Sequence, residues 1–99
     1  MLEAFTVETF AERVGELFRV TLEDGSTLEL ELASATAAPT RPNEAPRRAP
    51  FSIVFHGPQE LVLPQRIYRF EHDELGPFEL FIVPIGPEGS AMQYEAVFG

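Results

Sequence analysis

The feature of this sequence that most constrains its fold is a two-residue hydrophobic period in short runs. In the clearest run, Leu28, Leu30 and Leu32 alternate with Glu29 and Glu31. Successive side chains of a strand point to opposite faces, so this period predicts a strand with one apolar and one solvated face. We expect Arg19 or Arg69 to lie across from the two glutamates on the solvated face.

Six runs of this kind follow one helical segment and are separated by turn signals. This spacing is typical of a mainly β fold, either a six-stranded antiparallel sandwich or a small barrel with one short N-terminal helix. We predict one domain over 1–99, with a helix over 2–14, a hairpin over 16–38, a Pro/Arg-rich loop over 39–49 and the remaining strands over 50–98.

Two elements carry more specific expectations. In the helix, Phe10 and Val14 are four residues apart and should share one face, and Gly15 is placed to end the helix in a left-handed conformation. The strand over 78–85 is apolar on both sides from Leu80 onward. That pattern predicts a central strand covered by the helix or by a second sheet.

Composition narrows the classes of partner. The formal net charge is −9, from 16 acidic residues against seven arginines, and the chain has no Cys. An acidic field of this size repels nucleic acid and anionic lipid, so we expect neither as a partner. The lack of Cys excludes disulfides and thiolate metal sites within the chain.

The N-terminal residues carry no targeting signal that we can identify. Glu3 and Glu8 stand where a signal peptide has basic residues, and no apolar run reaches the roughly 18 residues that a membrane helix needs. We expect cytoplasmic synthesis, with any place outside the cell reached as part of an exported assembly or particle.

The two histidines are the strongest candidates for chemistry. His72 has Asp73 and Glu74 beside it, which are suitable metal ligands, but neighbouring strand residues point to opposite faces. His56 as a general base would need a nucleophile, and Ser52 lies four residues away along an extended strand. We therefore expect a non-enzymatic protein without a cofactor or metal.

Two groups of residues are candidates for partner contact. The Pro/Arg segment, residues 39–49, holds three of the seven arginines and suits an acidic partner or an acidic face of a second copy. Tyr94 and Phe98 lie in an apolar C-terminal strand that either pairs internally or adds to a sheet of another subunit. The candidate contact residues are Arg41, Arg47, Arg48, Tyr94 and Phe98.

Several core and turn segments together resemble a known family. They are FTVETF (5–10) with VGELF (14–18), PFSIVFHGP (50–58), YRFEH (68–72) with LG (75–76), FIVPIGP (81–87) and YEAVF (94–98). On these segments the chain resembles a family of bacterial domains of unknown function of about this length. The resemblance spares only the Pro/Arg segment and includes no catalytic motif. It implies genes encoded near tail-collar-like fibre proteins, and so an accessory or assembly role in a fibre or phage-tail-like appendage.

The sequence thus favours a non-enzymatic structural or interaction module that binds a protein partner or associates with itself. Its sheet edges and the Pro/Arg segment would be the contact surfaces. The alternative is a small-ligand or carbohydrate-binding β domain that uses an open end of the fold lined by aromatic side chains.

Overall fold

The computed structural model describes residues 5–37 and 50–98, which form one helix and six strands. Each described strand coincides with a run that has the two-residue hydrophobic period. The elements are α1 (Val7–Ala11), β1 (Leu17–Thr21), β2 (Thr27–Ala37), β3 (Phe51–Pro58), β4 (Arg66–His72), β5 (Gly76–Glu88) and β6 (Ala91–Phe98).

The six described strands close into one antiparallel barrel in the order β1-β2-β3-β6-β5-β4. Closure comes from β1, which pairs with β2 on one side and places Val20 opposite Phe70 of β4 on the other. The structure therefore confirms the mainly β antiparallel fold with one short helix, and it selects the barrel. A closed barrel has no unpaired edge strand, which removes the sheet edges as contact surfaces in this structure.

Alternation along each strand fills the barrel with apolar side chains. In β4, Tyr68, Phe70 and His72 point inward and are buried, whereas Ile67 and Arg69 point outward and are exposed. The fully buried interior is dominated by rings and branched aliphatic groups, which together make one continuous core. Its largest members are Tyr94, Phe10, Phe18, Phe51, Phe55, Phe70, Leu30, Leu32, Ile53, Ile82 and Val20.

The helix is shorter than the predicted 2–14 and spans only Val7–Ala11, with residues 1–4 outside the described part of the chain. The expected pairing of Phe10 with Val14 is wrong, because Phe10 is buried while the Val14 side chain is half exposed. The chain leaves the helix early because Gly15 donates its amide to Leu32 of β2 at 2.7 Å, which begins the sheet. Gly15 has the predicted left-handed conformation, with a φ of +93°, but it does not end the helix, because the C-cap is Glu12.

One end of the barrel is closed by the Phe10 ring. Its centroid lies 6.3 Å from that of Phe18, 6.0 Å from Phe51, 6.5 Å from Phe78 and 5.5 Å from Phe98. These rings come from four different strands, so one helical residue joins the ends of β1, β3, β5 and β6. Although α1 is too short to be stable alone, this packing holds it in place.

The other end is crossed by the β3–β4 connection, residues 59–65. Leu63 of this connection is buried. Its amide donates to the hydroxyl of Tyr94 at 2.9 Å, and Tyr94 lies wholly inside the barrel. A ring closes one end and a hydrogen-bonded loop closes the other, so the interior offers no open channel among the described residues.

Candidate functional site

Large apolar side chains remain exposed on one side of the barrel exterior. We define the apolar outer face as Ile67 of β4, Phe81, Val83 and Ile85 of β5, and Val97 of β6. The exposed fractions are 62% for Ile67, 49% for Phe81, 45% for Ile85 and 71% for Val97, while Val83 is half-buried. The prediction that β5 is covered on both faces is wrong for the described residues, because a single-layer barrel has only its inner face for packing.

Strand register brings these side chains together. Ile67 lies directly opposite Phe81 across β4 and β5. Val83 lies opposite Glu95 on β6, two residues from Val97 on the same face. Directly opposite side chains in a sheet are close enough to touch, so the face is a contiguous surface across three neighbouring strands.

The exterior of β1, β2 and β4 is charged instead. Arg19 lies opposite Glu29 of β2, as predicted, and opposite Glu71 of β4. The same prediction is wrong for Glu31, which lies opposite Leu17 and His56. The Arg19 guanidinium also donates to Asp73 at 3.1 Å. We call Arg19, Glu29, Glu71 and Asp73 the charged band. They are solvated, so each ion pair contributes only about 0–1 kcal/mol, and the band stabilises the fold little.

A cleft lies beside the β3–β4 connection, at the end of the barrel opposite α1. Its volume is about 310 Å³, near the lower limit for small-ligand sites. Leu61 and Val62 stand half exposed at its rim. The lining is mainly hydrocarbon with three charged groups, and comprises Leu22, Glu23, Asp24, Leu61, Val62, Leu63, Pro64, Arg66 and Tyr68.

Polar groups around the cleft are bonded within the protein. The Tyr68 hydroxyl donates to the Pro64 carbonyl at 2.7 Å, and burial raises the pKa of Tyr68, so this hydroxyl stays a donor. Arg66 forms an ion pair with Glu23. Asp24 accepts bonds from the Ser26 hydroxyl and amide, which lower the pKa of its carboxyl.

His72 belongs to a cluster that only the fold assembles. It is 5% exposed, its Nε2 lies 2.7 Å from Glu16 Oε1, and its ring centroid is 4.5 Å from that of Phe18. One potential ligand atom from each of Glu16, His72 and Glu74 lies within 4.8 Å of the others. At this distance the three side chains could share a metal ion.

The hydrogen bonds of His72 argue against metal binding. Its Nδ1 accepts the amide of Glu74 at 3.1 Å, so we infer that the ring proton sits on Nε2 and is donated to Glu16. A His ligand bound through Nε2 would instead need a proton on Nδ1 and an acceptor facing it. Glu74 also lies 3.3 Å from the Arg13 guanidinium, which supplies the balancing charge. The cluster therefore fits a structural link between the end of α1, β1 and the β4–β5 turn.

The predicted contact residues are placed differently. Arg41, Arg47 and Arg48 lie outside the described residues. Tyr94 and Phe98 are 0% and 4% exposed, so neither side chain is accessible to a partner in this structure. The strand that carries them pairs internally with β3 and β5, because its alternate residues belong to the barrel core.

The main surface features could not be predicted from the sequence, for different reasons. The outward apolar residues of β5 were visible as a run, but the run alone does not distinguish a covered strand from an exposed one. Glu16 is 56 residues from His72, so no local motif could join them. His56 lies 3.5 Å from Glu88 rather than beside a nucleophile.

Residues 5–98 match the profile of a family described as Domain of unknown function (DUF6916). No curated protein and no solved structure matches the chain. Among the described residues, no helix has the length and apolar character to cross a membrane.

Proposed function

The chain belongs to the DUF6916 family, and from the geometry of its barrel we propose that it is a non-enzymatic interaction module that binds a protein partner, or a second copy of itself, through the apolar outer face. The observation that carries this proposal is the exposure of Ile67 and Phe81 as a directly opposed pair on neighbouring strands. Contiguous apolar patches on a small domain are typical of interaction surfaces.

The free energy available from covering this face is substantial. Fully burying a Phe, Ile or Val side chain contributes about 1.5–3 kcal/mol. Phe81 is about half exposed and Ile67 and Val97 are more than half exposed, so all three retain much of this contribution for binding. Aromatic residues, Phe among them, are also enriched at the buried core of protein interfaces.

The internal bonding of the polar clusters supports a non-enzymatic role. A catalytic histidine needs a nitrogen that is free to exchange a proton with a substrate. Both ring nitrogens of His72 are already bonded to Glu16 and to backbone amides. His56, which lies near Glu88 on the outer surface, has no partner in the described residues that would make it a base for a nucleophile.

We extend the proposal to an accessory or assembly role in a bacterial fibre or phage-tail-like appendage. This role is what the family resemblance implies. The apolar outer face of the closed barrel supports it, because an assembly component needs a binding surface. A closed barrel also suits such a role because it offers no edge strand for uncontrolled sheet addition.

The cleft favours ligand binding as a second candidate function. Carbohydrates present hydroxyl groups that need polar partners inside a site. The aromatic residue among the lining residues is Tyr68, which is 5% exposed and whose hydroxyl is already bonded to Pro64. The cleft therefore suits an apolar group better than a sugar.

Comparative capture tests the proposed function. The wild-type chain, the double variant Ile67→Ser/Phe81→Ser and the control Leu17→Ser would each be immobilised and exposed to extract of the host cell. Leu17 lies on β1, outside the apolar outer face, and is 51% exposed. Its replacement by Ser is therefore the same kind of apolar-to-polar change at another exposed site. We expect a protein, or the chain itself, to be retained by wild type and control and lost from the double variant. Equal retention by all three baits would contradict the role of the face.

A further inference from the structure

The cleft shares no lining residue with the apolar outer face. Its floor and rim present aliphatic carbon from two segments, the end of β1 and the β3–β4 connection. Leu61 and Val62 are about half exposed at the rim, while Leu63 beneath them is buried. A concave apolar site of this size fits one large side chain rather than a flat protein surface.

The connection that forms the cleft is fixed from inside the barrel. The Tyr94 hydroxyl accepts the Leu63 amide at 2.9 Å, and the Tyr68 hydroxyl donates to the Pro64 carbonyl at 2.7 Å. Two buried or part-buried side chains thus hold the backbone of the loop on which the cleft depends. A site formed before binding loses less conformational freedom when a ligand enters.

The charge at the cleft is negative. Glu23 and Asp24 line it, and Glu60 directly precedes the lining residue Leu61. The one arginine of the lining, Arg66, is already paired with Glu23. Among the charged lining residues, Asp24 therefore leaves a negative charge that Arg66 does not balance, beside an apolar depression. Such a site attracts a cation and repels an anion.

We propose that the cleft binds a segment of a partner protein in which a large aliphatic or aromatic side chain stands next to a lysine or arginine. The apolar side chain fills the space between Leu22 and Val62, and the cation faces Asp24. Peptide-recognition sites hold apolar anchor side chains in a pocket or groove, and complementary charge adds specificity.

A second copy of this chain fits the cleft poorly. The chain carries a net charge of −9, so two copies bring like charge together. The Pro/Arg segment supplies cations, but residues 39–49 contain no apolar side chain larger than Pro. The Arg13–Val14 pair is exposed only at Val14, because Arg13 is bonded to Thr9 and lies beside Glu74.

Titration of the ¹⁵N-labelled chain with capped tetrapeptides tests the proposal. Binding is measured from the shifts of the backbone amide signals. The probes are glycine-leucine-lysine-glycine, glycine-leucine-glutamate-glycine and glycine-alanine-lysine-glycine. We expect the first to shift the amide signals of Leu22, Asp24 and residues 61–63. The other two should bind at least about tenfold more weakly, because one loses the charge contact and the other the apolar anchor.

Matched variants locate the site. Val62→Ser should reduce binding of the leucine-lysine probe, while Val97→Ser, which changes an exposed valine of the apolar outer face, should leave it unchanged. Both side chains are exposed, so the amide spectra will report an intact fold. Equal binding of all three probes, no binding of the leucine-lysine probe, or loss with Val97→Ser would overturn the proposal. These results are independent of the capture experiment, which depends on Ile67 and Phe81.

Discussion

Leu30 shows how one residue links the sequence pattern to the barrel core. It is fully buried on the inward face of β2, opposite Phe18 of β1. We expect Leu30→Ala to lower the free energy of unfolding by about 2–5 kcal/mol, because the lost methyl groups leave a cavity. Denaturant unfolding measures the loss. A decrease below about 1 kcal/mol, similar to that for the exposed control Leu17→Ala, would mean that Leu30 does not face the core.

Gly57 sharpens this test because it lies against Leu30. A Cβ atom added at Gly57 would lie 2.7 Å from Leu30 Cδ2, closer than two non-bonded carbon atoms can approach. We expect Gly57→Ala to destabilise the wild-type chain but to cost clearly less in the Leu30→Ala background, where the clashing methyl group is gone. Additive losses in the double-mutant cycle would show that the two residues are not in contact.

Asp24 gives the β1–β2 turn a dependence on pH. Hydrogen bonds from the Ser26 hydroxyl and amide hold the pKa of Asp24 below its ordinary value of 3.8. A carboxyl whose pKa is lowered in the folded state contributes stability above its unfolded pKa and loses it as pH falls through the folded pKa. We expect Asp24→Ala to be less stable than wild type at about pH 7, and the difference to shrink towards about pH 2. Unfolding curves at several pH values measure this, and a difference independent of pH would contradict it.

At the scale of elements, Tyr94 connects the barrel interior to the β3–β4 connection. Its hydroxyl is the acceptor for the buried Leu63 amide. We expect Tyr94→Phe to destabilise the fold by about 1–3 kcal/mol, because that amide loses its partner while staying buried. The loss should appear locally as faster hydrogen exchange of the Leu63 amide. Unchanged exchange there would show that the connection is held in another way.

How far each element could be predicted depended on whether its signal is local. In β2 and β4, apolar and polar side chains alternate along consecutive residues, so the inward-facing residues could be predicted from the sequence. The helix could not be placed correctly, because its end is set by the bond from Gly15 to Leu32 in a distant strand. Barrel closure likewise depends on the pairing of β1 with β4, about 50 residues apart in the chain, which no short pattern specifies.

The candidate surfaces were less predictable than the fold for the same reason. The apolar outer face joins Ile67 to Phe81 and Val97, and only the strand order brings them together. The sequence pointed instead to Tyr94 and Phe98, because an apolar C-terminal strand looks the same whether it pairs inside the chain or with another one. Burial of both side chains decides between these alternatives in this structure.

In the whole molecule, association through charged groups and association through apolar groups should depend on salt concentration in opposite ways. The three arginines of the Pro/Arg segment, Arg41, Arg47 and Arg48, stay a predicted contact for acidic surface, and the charged band around Arg19 offers carboxylates such as Glu29. We expect Arg41→Ser/Arg47→Ser/Arg48→Ser to leave the unfolding curve unchanged and to remove any part of association that weakens between about 0.05 and 0.5 M salt. Light scattering over a range of concentrations measures that part. Association that keeps its full salt dependence in the triple variant would remove these arginines from the contact.

Association through the apolar outer face should behave differently. Hydrophobic contacts are not screened, and excluded salts such as sulfate strengthen them. We therefore expect the Ile67→Ser/Phe81→Ser variant to lose the part of association that survives high salt. If the salt-resistant part persists in this variant, another surface must carry it.

Site-specific photo-crosslinking in the host cell tests whether the apolar outer face is the binding surface. A benzophenone side chain would replace Phe81 in one variant and Glu79 in another, since both point outward on β5 but only Phe81 belongs to the apolar outer face. After irradiation, we predict a discrete higher-mass adduct from position 81 and little from position 79, with the mass showing whether the partner is a second copy or another protein. No adduct at position 81, or equal adducts at both positions, would contradict the assignment of this face as the binding surface.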